Sequence, residues 1–288
     1  MAIESLRALE KASENKDIFE VVLDSDCTDR GVSREASLEK MHALYAALRR
    51  AREGYDPALH SASGMVGGDG AKMREYVQKG KTICGDYIGQ VIAQALEMGE
   101  SNACMKCIVA APTAGSCGVL PAVLLPYQAR EGLDDDAMVR AMYIAGAIGQ
   151  VVAAKASIAG AAGGCQAEIG TASAMGAAAL CYLGGGSSQA VCHAAAIAIK
   201  SMLGLVCDPI AGLVEVPCVK RNAAGAMIAM SSADMALAGI RSAVPPDEVI
   251  LAMREVGDKM DVSLKETGVG GVAGTPFGQK IAEKMGVL

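Results

Sequence analysis

Three cysteines in the second half of the chain stand where regular structure is interrupted: Cys165 in GAAGGCQAE, Cys207 in GLVCDP and Cys218 in VEVPCVKRN. Gly163-Gly164, Asp208-Pro209 and Pro217 turn the backbone beside each thiol. Such turns aim sulfur atoms inward and offer N–H groups to a bound centre. Three thiolates make an incomplete cage for an iron–sulfur cluster, which leaves one iron free for chemistry. The spacing matches no short ferredoxin-type run. From spacing alone, cluster ligation and ordinary buried thiols both remain open.

Seven other cysteines compete with these three. Cys104-Met-Lys-Cys107 has the gap of a zinc knuckle or redox pair, but no second pair stands at zinc-ribbon spacing. Cys27, Cys84, Cys181 and Cys192 lie in helix-like contexts and read as small hydrophobes. Cys117 falls in a glycine-punctuated loop, 111 to 121, and is a candidate to line a site. Two loops join hydroxyls to flexible backbone: His60-Ser61-Ala62-Ser63-Gly64 and Thr113-Ala114-Gly115-Ser116. Their N–H groups suit an anion nest for a carboxylate. The same residues also make plain turns. Asn222, beside Lys220 and Arg221, suits a bond to substrate or cluster, or a helix cap. The base is open among Lys155, a charge in the apolar VVAAKASIAG, His193 in CHAAAIAIK, and His60. Glu168, three residues after Cys165, suits either a base or a group that orients the cluster.

The elements that must hold these residues read as helices. The chain has 288 residues, 52% hydrophobic but only 3% aromatic, with 34 Gly and no Trp. Small side chains let backbones approach closely, whereas a sandwich or barrel carries more aromatic and β-branched residues. The expectation is an all-α, single compact domain of buried Ala/Gly-rich helices with functional loops between them. Residues 1–54 form a polar, amphipathic helical region within it: Ser37–Glu53 puts Leu38, Met41, Leu44, Tyr45 and Leu48 on one face. Further helices are expected over Lys81–Met98, ending at Gly99, and from an Asp134–Asp136 cap to Lys155. Others open at Pro245-Pro246 and at Thr275-Pro276. Leu213–Val219 is the best candidate for a strand. From Ile169 to Ile199 only His193 can carry a charge, a run long enough to span a bilayer. Leu183 to Gln189 breaks that run with three glycines, so two buried helices fit better and no membrane span is expected. A net charge of −6 argues against nucleic acid as a partner. The opening MAIESLRALEKASENK has no apolar signal core. That points to the cytoplasm, where thiols stay reduced.

GAAGGCQAEIGTASAMGAAA, CDPIAGLVEVPCVKRNAAGA and APTAGSCGVLPA resemble the iron–sulfur-dependent L-serine dehydratases, or L-serine ammonia-lyases. The similarity runs roughly from His60 to Gly278 and suits the alpha subunit of the two-chain form. The resemblance implies a mostly helical catalytic region and a 4Fe–4S cluster on Cys165, Cys207 and Cys218. It implies conversion of L-serine to pyruvate and ammonia, with the two hydroxyl loops on the substrate carboxylate. Single-chain members carry a further domain with a Ser-Ser-Ser-His-Thr motif that is not found here. The resemblance therefore implies a separate beta chain as partner and places the missing acid–base group there. Two rival readings remain. One is a non-catalytic iron–sulfur sensor or structural subunit. The other is a pyridoxal-phosphate enzyme with its Schiff base on Lys155 and its phosphate in Gly184–Ser187.

Overall fold

Good helix formers fill the long apolar runs of this chain, and glycine, proline and capping hydroxyls punctuate them. The computed structural model describes residues 3–287. In order, its α-helices are α1 (Leu6–Ala12), α2 (Ile18–Arg30), α3 (Arg34–Glu53), α4 (Asp69–Gln78), α5 (Gly85–Ala103), α6 (Val119–Glu131) and α7 (Asp135–Lys155). There follow α8 (Gly160–Gly163), α9 (Thr171–Leu183), α10 (Ser188–Met202), α11 (Cys218–Leu237), α12 (Pro246–Lys259) and α13 (Pro276–Lys284). Among the described residues no strand forms, and the one β contact is an isolated bridge from Cys207 to Lys265. The all-α reading holds.

Helix α9 lies at the centre, with Thr171 through Cys181 buried on every side. Helices α6, α7, α10 and α11 pack around it. A helix apolar all round needs such a jacket, because no face tolerates water. Of the face expected on α3, Tyr45 and Leu48 are buried, Leu38 and Met41 pack against the core, and Leu44 is exposed. Tyr45 and Leu48 belong to the same hydrophobic cluster as the central helices. Phe19 of α2 meets Tyr143 of α7 edge-on, with ring centroids 5.6 Å apart. The expected caps form: Asp134 accepts from Ala137 N at 2.8 Å, and Thr275 from Gly278 N at 3.1 Å. The uncharged run from Ile169 is two helices, α9 and α10, with the glycine turn between them. Helix α7 is long and apolar enough to cross a membrane, yet 67% of its apolar window is buried inside the protein.

Two expectations need correction. Leu213–Val219 is not a strand: it is a turn that runs into α11 at Cys218. Pro217 lacks an N–H for a ladder, and no second strand is at hand to pair with. Helix α5 starts at Gly85 and runs through Gly99 to Ala103. Gly99 is no terminator. It lets α5 press on the start of α11, where a Cβ would stand 3.1 Å from Val219 Cγ1 and 3.2 Å from its Cα.

Candidate metal centre

The backbone around Cys165 is locked by one glutamine. A π-helical turn, Gln166–Gly170, follows Cys165 and runs into α9. Such turns often mark functional positions. Gln166 N donates to Leu205 O at 2.9 Å, its Oε1 accepts from Gly204 N at 2.9 Å, and its Nε2 donates to Met253 O at 2.9 Å. The Cys165 turn is thereby pinned to the arm that carries Cys207. Cys207 N donates to Leu264 O at 2.8 Å, and Cys207 O accepts from Glu266 N at 2.7 Å. Cys218 opens α11 directly after Pro217.

These three arms converge. Cys165, Cys207 and Cys218 are 1%, 2% and 5% exposed, and both other thiols act on the Cys165 thiol. Ligand atoms of Cys165, Cys207 and Glu168 all lie within 4.8 Å of one another. Gly160 keeps room beside them: a Cβ there would sit 2.8 Å from both Cys207 Sγ and Glu168 Oε2. The trio accepts one negative charge readily. Two thiol donors and the Arg221 guanidinium hold the Cys165 thiol well below its ordinary range. That charge, together with burial, pushes the Cys207 and Cys218 thiols up. Three thiolates at one buried point need a cationic centre between them. Soft sulfur donors select the metals of iron–sulfur clusters, zinc and Cu(I). The donor set fits a cluster held on three cysteines.

Glu168 completes the immediate surroundings. Its Oε1 accepts from Thr113 Oγ1 at 2.7 Å, and its Oε2 lies 3.9 Å from Cys207 Sγ. Burial first, then the negative charge of Cys165, raises its carboxyl to about 7. Asn222 is a clamp. Its Nδ2 donates to Gly115 O at 2.8 Å and to Cys218 O at 3.0 Å, while its Oδ1 accepts from Gly118 N at 2.8 Å. It ties the thiol-bearing start of α11 to the 111–118 loop. Within that loop Ser116 Oγ lies 3.2 Å from Thr113 Oγ1 and is fully buried.

The other hydroxyl loop is tied to the Cys218 arm. Ser61 Oγ donates to Glu215 Oε2 at 2.7 Å, and Ser63 Oγ donates to the same oxygen. Gly64 closes the turn with a left-handed φ of 77°, its N donating to Ser61 O at 2.9 Å. A cleft of about 440 Å³ opens here, bordered by His60, Ala62, Met105, Ala114, Leu213 and Glu215. His193 stands apart from this cleft. His193 accepts from Ser242 N at 3.1 Å and lines a separate cavity of about 370 Å³ with Gly184, Ser187 and Arg241; burial lowers its pKa. Lys155 ends α7 and does not border that glycine cavity, so the residues of the pyridoxal-phosphate reading are not gathered there. Cys117 is fully buried, reaches Met98 O at 3.6 Å, and is pushed up to about 12 by burial, as suits an inert core thiol. Cys104 caps the end of α5 and Cys107 follows it, exposed.

Glu215 and Arg221 were given no role by sequence reasoning. Their signal was positional: each stands three residues from Cys218, one before it and one after.

The profile of the serine dehydratase alpha chain family matches residues 13–273. The chain is 49% identical over 245 residues to a probable L-serine dehydratase, alpha chain, of Bacillus subtilis (strain 168), covering 85% of this chain and 80% of the relative. It is 44% identical over 272 residues to the L-serine dehydratase, alpha chain, of Peptoniphilus asaccharolyticus, covering 88% and 93%. A probable L-serine dehydratase, alpha chain, of Latilactobacillus sakei is 52% identical over 203 residues, 70% of this chain and 96% of that one.

Proposed function

The chain belongs to the serine dehydratase alpha chain family, and we propose that it binds a 4Fe–4S cluster through Cys165, Cys207 and Cys218 and uses it to convert L-serine to pyruvate and ammonia. The convergence of three buried thiols from three separate arms carries this reading. Relatives named as L-serine dehydratase alpha chains supply the substrate.

Serine's hydroxyl is a poor leaving group. A cluster held by Cys165, Cys207 and Cys218 would supply a Lewis acid to stabilise hydroxide as it departs. The protein's own residues do the rest. Glu168 stands at the thiols with its carboxyl poised near neutrality, so it can take or return a proton at its Oε2. Thr113 orients that carboxyl through its hydroxyl. Loss of the Cα proton and of hydroxide leaves an aminoacrylate, which becomes an imine and hydrolyses to pyruvate and ammonia. The 61–64 and 113–116 loops offer N–H groups for the substrate carboxylate. The Ser61 and Ser63 hydroxyls already donate to Glu215, which leaves backbone donors as the better part of those loops. The name alpha chain implies a beta chain, and we assign the remaining acid–base groups to that partner.

The test is anaerobic reconstitution with iron and sulfide of this chain together with its beta chain, followed by assay of pyruvate from L-serine. Turnover that disappears when the cluster is removed and returns on reconstitution is the expected result. An intact cluster with no turnover of L-serine would move the chain to the non-catalytic sensor or structural reading.

A further inference from the structure

Two cations stand side by side at the start of α11, and they behave differently. Lys220 is 75% exposed and pairs with Asp69 at 3.3 Å. Arg221 turns inward: its side chain is 18% exposed, and Nη1 lies 2.8 Å from Asp208 Oδ1, itself 4% exposed. That contact is ionic. The aligned hydrogen bond from Nη1 goes to Val206 O at 2.8 Å. The Cys165 thiol is near enough to add its negative charge to the field that raises the Arg221 guanidinium. Asp208 is held in turn, its Oδ2 accepting from Val272 N at 2.8 Å. One side chain therefore holds the Cys207 arm and acts electrostatically on the Cys165 sulfur, while its own backbone is anchored three residues after Cys218.

The placement runs against local preference. A helix carries partial positive charge in its first turn, and cations there are disfavoured. Burial adds a desolvation cost that only a charged partner offsets. Where a local rule is broken, a compensating gain is expected nearby. Asp208 provides part of that compensation, and the sulfur beyond it provides the rest. The other acids near the thiols, Glu168 and Glu266, add negative charge around Cys207. An arginine keeps its charge at any working pH and presents a rigid fork of donors, which a lysine does not.

We propose that Arg221 is the positioning residue of the thiol centre, its guanidinium fixing the Cys165 sulfur and balancing the negative charge of a bound iron–sulfur cluster, with Asp208 holding it in place. This inference rests on the cluster reading above. Donors and positive charge near cluster sulfurs raise the reduction potential, and their loss lowers it. Asp208 acts with the opposite sign.

The experiment compares Arg221→Gln, Asp208→Asn and Lys220→Gln with the unaltered chain after anaerobic reconstitution. Iron per chain, midpoint potential by spectroscopic titration and the rate of iron release to a chelator are measured. Arg221→Gln is expected to lower the potential and to release iron about 10- to 100-fold faster, the range seen when groups that support metal ligands are lost. Asp208→Asn is expected to raise the potential. Lys220→Gln, which removes the same charge from the exposed neighbour, should leave both unchanged. Opposite shifts separate charge balance from loosened packing, which would move both buried variants alike. If Arg221→Gln loses its helical circular dichroism, Asp208→Asn against Lys220→Gln decides: a raised potential supports the assignment and an equal or lower one overturns it. Unchanged potential and release in a folded Arg221→Gln overturns it too. Failure of the unaltered chain to bind iron overturns the cluster reading instead.

Discussion

Glu168 shows how burial sets the chemistry of one side chain. Its carboxyl is raised to about 7 by desolvation and by the negative charge of Cys165, against an ordinary value of 4.5. In the metal-free chain the folded state thus holds this proton more tightly than the unfolded state. Its contribution to stability is full below about 4.5 and is lost as pH rises through about 7. Glu168→Gln cannot titrate, so denaturant unfolding of metal-free protein across that window should show a flatter pH dependence than the unaltered chain. Equal slopes would mean that Glu168 ionises freely in the fold. Sequence alone marked the three thiols through their glycine and proline neighbours, but it could not rank Glu168 above Lys155 or His193. A carboxyl three residues after a cysteine reveals nothing about the Thr113 hydroxyl that reaches it from another arm. For Asn222 the sequence suggests a bond to substrate or cluster, or a helix cap; its clamp on the 111–118 loop was not legible, because its partners Gly115 and Gly118 lie over a hundred residues away.

Among the helices, two glycines make opposite predictions. Gly99 sits where α5 presses on Val219, beside the cysteine that opens α11. Gly99→Val forces that contact apart and should cost about 1–3 kcal/mol, read as a lower denaturant midpoint. Gly146 in α7 is exposed, with nothing within 4 Å of its would-be Cβ. Gly146→Ala should therefore stabilise the chain by about 0.5–1 kcal/mol, the usual gain for a helix interior. Asp134→Ala removes the bond to Ala137 N and should cost about 1 kcal/mol. The helical pattern was legible because the apolar runs are long and their caps are chemically distinct. The bounds of α5 and the nature of Leu213–Val219 were not. Helix α5 continues through Gly99 because of a tertiary contact, and the short apolar stretch before Cys218 has no strand to join.

Taken whole, the chain gathers its chemistry into one region: residues 111–118, 160–168, 205–208 and 215–222 come together around the thiols, beside the cleft at Glu215. The long apolar helices behind them supply a stiff frame. Serine turnover is expected to need the beta chain, whereas cluster binding is not, because all three thiols lie on this chain. Mixing experiments should accordingly give iron-loaded but inactive alpha chain until the partner is added; pyruvate formation by the alpha chain alone would remove that division of labour. The measurement closest to the centre of the proposal is iron and acid-labile sulfide per chain after anaerobic reconstitution of Cys165→Ala, Cys207→Ala, Cys218→Ala and Cys104→Ala. About four irons are predicted for the unaltered chain and for Cys104→Ala, with loss of the full cluster in each of the other three, as expected for three-thiolate ligation. Four irons retained by any one of Cys165→Ala, Cys207→Ala or Cys218→Ala would contradict the assignment.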